Sequence, residues 1–212
     1  MASRAFLLTF LLLLAALIPT PLDGQIIPFE SGGLSYKAMT RGGVTVMFAP
    51  LPLRVQNYAV LEVAVSNGSA IAWAVKPEDF VFESDAGGSV EAQAAVTVVR
   101  TLLNKAGRGD VGKLVTAYET ALYGNTEIHS TNGYEARRQD AMAVNGSRLR
   151  AAAAASAIVM VATQLKPGQS TDGAVFYPNG GKPLGAGRLI VHAAGEEFVF
   201  PVEALPTVQT HR

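Results

Sequence analysis

Cysteine is absent from the 212 residues. Its absence excludes disulfides, thiolate nucleophiles and cysteine-based zinc or iron–sulfur sites, so stability has to come from packing. Charge is scarce and balanced. Asp, Glu, Lys and Arg make up 16% of the chain, with 17 bases against 17 acids, and no net field steers it toward nucleic acid or an anionic membrane. Histidine occurs only at His129, His192 and His211, without the close pairing of a metal site. No Gly-x-Ser-x-Gly elbow is present to activate a serine.

One apolar run stands at the N-terminus. Arg4 is followed by Ala5 to Ile18, interrupted only by Thr9, and then by Pro19 and Pro21, which is the order of a secretory signal. A run of about 14 residues falls short of the roughly 20 that a membrane-spanning helix needs. We therefore expect residues 1–24 to be a signal peptide and the remainder to be exported, periplasmic or extracellular. Leu22 is a poor residue three positions before the cut that Gly24 suggests, so a retained leader acting as an anchor stays open. With the leader removed, no stable membrane span is expected, and the lack of cysteine excludes lipoprotein processing. The alanine-rich composition points to a bacterial source.

Past the leader, short segments rich in β-branched and aromatic residues alternate with Gly, Pro and Asn. Strands are expected at Leu34 to Thr40, Val44 to Phe48, Tyr58 to Ser66, Ile71 to Val75 and Asp79 to Glu83, and again at Gly173 to Tyr177, Arg188 to Ala193 and Glu197 to Val202. In Tyr58 to Ser66 the alternation sets Leu61, Val63 and Val65 against Glu62 and Ser66, as a half-buried strand requires. Asn67-Gly68 should then turn with positive φ. Trp73, Phe80 and Phe82 are expected core anchors.

Between the two strand groups the apolar period changes to three and four, over Val90 to Ala106, Lys113 to Tyr123 and Glu135 to Leu165. Three closing strands could not be stable alone, so both flanks should share one sheet system interrupted by an insert. The expected organisation is a single domain over 25–204, with a helical insert at about 90–164 projecting from it and a flexible tail at 205–212. The fold class is mainly β, an antiparallel β-sandwich that the helical insertion makes α+β overall.

Val60 to Ser84, together with Leu165 to Pro178 and Arg188 to Glu203, resembles exported bacterial proteins of unknown function that share a telokin-like immunoglobulin β-sandwich. The shared features are an Asn turn leading to a Pro-x-Asp-Phe strand, and a Pro-Gly turn before a Gly-x-x-Phe strand. The resemblance implies an immunoglobulin-like fold and an extracytoplasmic setting, and brings no catalytic residues. The helical middle, Val90 to Gln164, departs from the plain sandwich.

Several constellations have to be weighed. Gly107 to Lys113 matches the spacing of a phosphate-binding loop, but Leu114 stands where a magnesium-holding hydroxyl belongs, so a glycine turn is the stronger account. Arg108-Gly109-Asp110 within it is the tripeptide that integrins read, a match that chance alone also supplies. Glu78-Asp79 and Glu196-Glu197 are neighbouring acids that a strand would point to opposite faces. Arg137, Arg138, Arg148, Arg150 and Lys166 give the last helical stretch a basic bias that reads as a solvated face. Asn67 and Asn145 fit the glycosylation pattern, which a bacterial host would leave unused. No catalytic residue, metal ligand or cofactor site is assigned.

The expected function is a non-enzymatic exported module whose helical insert meets an unknown protein partner in the cell envelope, with no nucleic-acid role. Two alternatives stand beside it: a carrier of a small apolar ligand or lipid under the alanine-rich stretch, and a hydrolase with a dispersed site.

Overall fold

The computed structural model describes residues 24–105, 115–116, 119, 134–143, 153 and 156–204. A chain of tight hairpins starts the first sheet. β1 (Ile27–Ser31), β2 (Leu34–Arg41) and β3 (Val44–Val55) are joined by Gly32-Gly33 and Gly42-Gly43. The four glycines have φ of 57°, 77°, 56° and 78°, the successive left-handed pairs that a two-residue hairpin turn demands and that a side chain would resist. β4 (Tyr58–Asn67) pairs with β3 on one side and with β9 (Ser170–Pro178) on the other, completing the order β1-β2-β3-β4-β9.

β6 (Phe80–Ser84), β7 (Ser89–Glu91), β10 (Gly187–Ala193) and β11 (Glu196–Val202) form the second sheet in the order β11-β10-β6-β7. β5 (Trp73–Val75) and β8 (Thr163–Leu165) make a separate short ribbon. All these pairings are antiparallel. The early and late strands interleave, β9 lying on β4 and β10 on β6, so each sheet needs both flanks. The chain is mainly β, an antiparallel β-sandwich, and its two inner faces meet in one apolar core. Val46, Phe48, Leu61 and Val63 enter from the first sheet, and Phe80, Phe82, Leu189, Val191, Phe198 and Phe200 from the second. Phe48 and Phe200 meet edge to face across the gap, centroids 5.2 Å apart. Trp73, Phe80 and Phe82 are buried, as their size suggested.

Several expectations change. Val90 lies in β7, and the first helix starts later, as α1 (Ala95–Lys105). Val115, Thr116 and Glu119 are helical within the expected Lys113 to Tyr123 stretch. Of the helix expected over Glu135 to Leu165, α2 (Tyr134–Ala143) and residues 156–158 are helical, but the chain then straightens. Val159 bridges Ala174 and the Met160 N–H donates to the Ala174 carbonyl at 2.9 Å, so pairing with the edge of β9 overrides the helical period. Neither Asn67 nor Gly68 adopts positive φ. The Asn67 side chain is instead a buried clip, donating to the Ile71 carbonyl at 2.8 Å and the Leu165 carbonyl at 3.1 Å, while its oxygen accepts from the Ser69 N–H at 3.0 Å. A buried, fully engaged amide is closed to glycosylation in the folded chain. The leader, the tail from Leu205, Asn145, and Gly107 to Lys113 lie outside the described residues.

Open strand edges invite pairing with other chains, and two devices blunt them here. Pro28 falls between the hydrogen-bonded positions of the hairpin closed by Ser31 and Leu34, so its missing N–H faces away from β2. On β11, Pro201 does the same, and two bases from β2 cap outward carbonyls: Lys37 Nζ donates to Pro201 O at 2.8 Å and Arg41 Nη1 to Glu197 O at 2.9 Å. The stems of these bases cross the open flank of the sandwich beside the buried Met39. Replacing both by Met keeps the stems and uncaps the carbonyls. The K37M/R41M double variant is expected to self-associate with rising concentration in sedimentation velocity, each single variant less so; wild-type behaviour of the double variant would show that the caps do not protect the edge.

Candidate functional site

β4 carries Ala59, Leu61, Val63 and Val65 into the core, and by the two-residue period Tyr58, Val60, Glu62 and Ala64 share the opposite face. Alternation alone places Glu62 in water. The structure corrects this: Tyr58 through Val65 are all buried, because the outer face of the first sheet carries a second apolar layer. Val98 and Leu102 of α1, Tyr134 at the start of α2, and Ala157, Ile158 and Val159 pack there on Leu51, Tyr58, Val60, Ala174 and Phe176. The described helical pieces thus lie flat on the sheet, where the sequence suggested that the insert projects. Ala157 and Ile158 are buried in that layer, clustered with the residues of the sheet face.

Across this face the side chains change character row by row. Val60 is level with Phe176, then Ala49, Glu62 and Ala174 follow, then Met47, Ala64 and Asp172, and last Thr45, Ser66 and Ser170. The helical layer covers the apolar end, and the Thr/Ser end is only partly buried. Glu62 sits at the boundary, 0% exposed, with Asp172 and Tyr36 also buried nearby. The Tyr36 hydroxyl donates to Glu62 Oε2 at 2.8 Å, and its ring stacks on Phe29 with centroids 5.1 Å apart. Glu62 Oε1 is buried with no hydrogen-bond partner among the described residues.

The electrostatics follow from burial. Loss of hydration pushes the Glu62 carboxyl up to about 8; the Tyr36 hydrogen bond opposes this, and the Asp172 charge adds to it. Tyr36 is also raised, by burial first and then by Glu62. At neutral pH Glu62 therefore carries its proton. In this arrangement the buried carboxyl can hold or release a proton beside Tyr36 and Asp172.

The residues weighed from sequence do not converge. His192 is exposed on β10, level with Glu197 across the hairpin, while His129 and His211 lie outside the described residues. Asp79 Oδ2 accepts the Lys76 N–H at 2.9 Å and closes a single helical turn, and Glu196 and Glu197 are exposed beside the β10–β11 turn. The basic face is corrected in part. Arg137 Nη2 donates to the Ala157 carbonyl at 3.0 Å, and Arg138 pairs with Glu119, whose carboxylate also accepts from the Tyr134 hydroxyl at 2.8 Å. Those two bases tie the helical pieces together rather than coat them. Lys166 is exposed, and Arg148 and Arg150 fall outside the described residues.

Sequence reasoning missed Tyr36, Glu62 and Asp172. A usable signal was present, since three of the four residues on the Glu62 side of β4 are apolar or aromatic, which a solvated face would not need. Among the described residues no group of three or more His, Cys, Asp or Glu could hold a metal, and no helix is long and apolar enough to cross a membrane. No family model, curated protein or solved structure matches this chain.

Proposed function

We propose that the chain is a non-enzymatic exported module, an immunoglobulin-like sandwich of telokin-like kind in the periplasm or outside the cell, whose helical layer engages a protein partner in the envelope. The mounting of α1 carries this reading. Val98 and Leu102 face the sheet, whereas Val96, at 63% exposure, joins Thr97, Arg100 and Asn104 on the opposite side. The two sheets close an apolar core between themselves, so the added layer presents a mixed apolar and polar surface that the sandwich does not consume. A photo-crosslinking residue placed in cells at Val96, Arg100 or Asn104 is expected to capture one envelope protein, while the same residue at Arg188 or His192 on the second sheet captures none. Equal capture from both surfaces, or capture from neither, overturns the proposal.

A further inference from the structure

On the inner side of the first sheet, away from the helical layer, the sandwich opens into a cleft of about 350 Å³. That volume lies within the range of small-molecule sites, roughly 300–1,000 Å³. Leu34, Phe48, Pro50 and Val202 supply apolar walls, and Phe48 and Val202 continue into the core. One cation stands at the mouth. Lys37 is 24% exposed, and its Nζ is fixed by the Pro201 carbonyl at 2.8 Å, so the ammonium is positioned before any ligand arrives. Its counter-ion is loosely held: Glu203 Oε1 lies 3.4 Å away on a side chain 90% exposed. An exposed pair of this kind contributes little, and a competing carboxylate can replace it at small cost.

We infer that this mouth binds a small amphiphile with an apolar body and one carboxylate, a fatty acid in chemical class, its chain along Phe48 and Val202 and its head on Lys37. An alcohol of the same length would leave the ammonium without its new partner. A quaternary ammonium would be repelled. No residue of α1 or α2 lines the cleft, so failure of the crosslinking experiment leaves it standing.

The test is titration of the full chain with decanoate, decanol and decyltrimethylammonium, followed by amide chemical shifts. Decanoate is expected to move Ser35, Lys37, Phe48, Val202 and Glu203, and to bind at least tenfold more tightly than decanol. Lys37→Met, titrated at concentrations where sedimentation shows a monomer, should erase that preference. Glu203→Gln should strengthen decanoate about two- to threefold by removing the competing counter-ion. Ser35 is exposed at the rim, so Ser35→Phe should fold normally and block both decanoate and decanol. The inference is overturned if decanoate and decanol bind equally to the wild type, if shifts fall outside the cleft or are absent, or if Ser35→Phe binds as the wild type does.

Discussion

Glu62→Gln is expected to stabilise the protein at pH 8 and to change little at pH 4. The sign follows from the raised folded-state value, about 8 against 4.5 for an unperturbed glutamate. Below 4.5 both folded and unfolded chains hold the proton, and the group's contribution is fully present. As pH rises, the unfolded chain ionises first, so stability drains away through the window from about 4.5 to 8 and levels off beyond it. Each tenfold difference in proton affinity between the two states is worth about 1.4 kcal/mol, which makes the full loss on the order of 5 kcal/mol, more than half of it between pH 5 and pH 7. Glutamine keeps an oxygen for the Tyr36 hydroxyl and cannot ionise. Denaturant unfolding at a series of pH values, variant against wild type, reads the difference directly, since every other carboxyl is common to both. Two parallel curves would mean that Glu62 is not buried in the way described.

Gly173→Ala should act in the opposite direction and destabilise the fold. β9 is an edge strand of the first sheet, and the chain at 157–160 passes from the outer face over that edge into the core, Met160 ending buried between the sheets. A Cβ on Gly173 would lie 2.5 Å from Met160 Cα and 2.8 Å from both Met160 N and Met160 Cβ, atoms fixed to the backbone rather than the far end of a flexible side chain. Overpacking of this kind costs roughly 3 kcal/mol. The expected signature is local as well as global: the Met160 amide, bonded to Ala174 O, loses hydrogen-exchange protection ahead of the amides of β10. Gly185→Ala is the control, for nothing lies within 4 Å of its would-be Cβ, and it should stay within about 0.5 kcal/mol of wild type. Should both variants unfold at the same denaturant concentration, the close approach at Gly173 is wrong.

The close approach also gives the glycine of the Gly-x-x-Phe strand a physical reason, which illustrates what could and could not be read from residues alone. β2, β3, β4, β6, β9, β10 and β11 were legible because each is a run of five or more residues rich in apolar, β-branched and aromatic side chains between turn-forming glycines, prolines or asparagines. β1, β7 and β8 were not. Ile27-Pro28-Phe29 looks like linker, and Ser89-Val90-Glu91 and Thr163-Gln164-Leu165 are too short to show a period, so their neighbours across the ladder decide them. The buried carboxyl was hidden for a related reason. A strand's period states which side chains share a face, while what covers that face is supplied by residues far along the chain, here α1, α2 and 156–159. The capping by Lys37 and Arg41 leaves no mark in the sequence, because nothing local shows that Met39 between them points into the core or that a second sheet's edge lies within reach.

The interleaving of early and late strands also sets the order in which the chain can acquire structure. Tyr58 lies level with Pro178, and Phe80 with Val191, so neither sheet can finish until the last strands exist. The glycine hairpins β1 to β3 form from neighbours, but every pairing that closes the sandwich spans a hundred residues or so, which makes collapse slow and keeps it waiting on synthesis. Neither sheet can lock until residues 170–202 have been made, so the β-hairpins formed early must stay soluble and unpaired at their open edges throughout that interval.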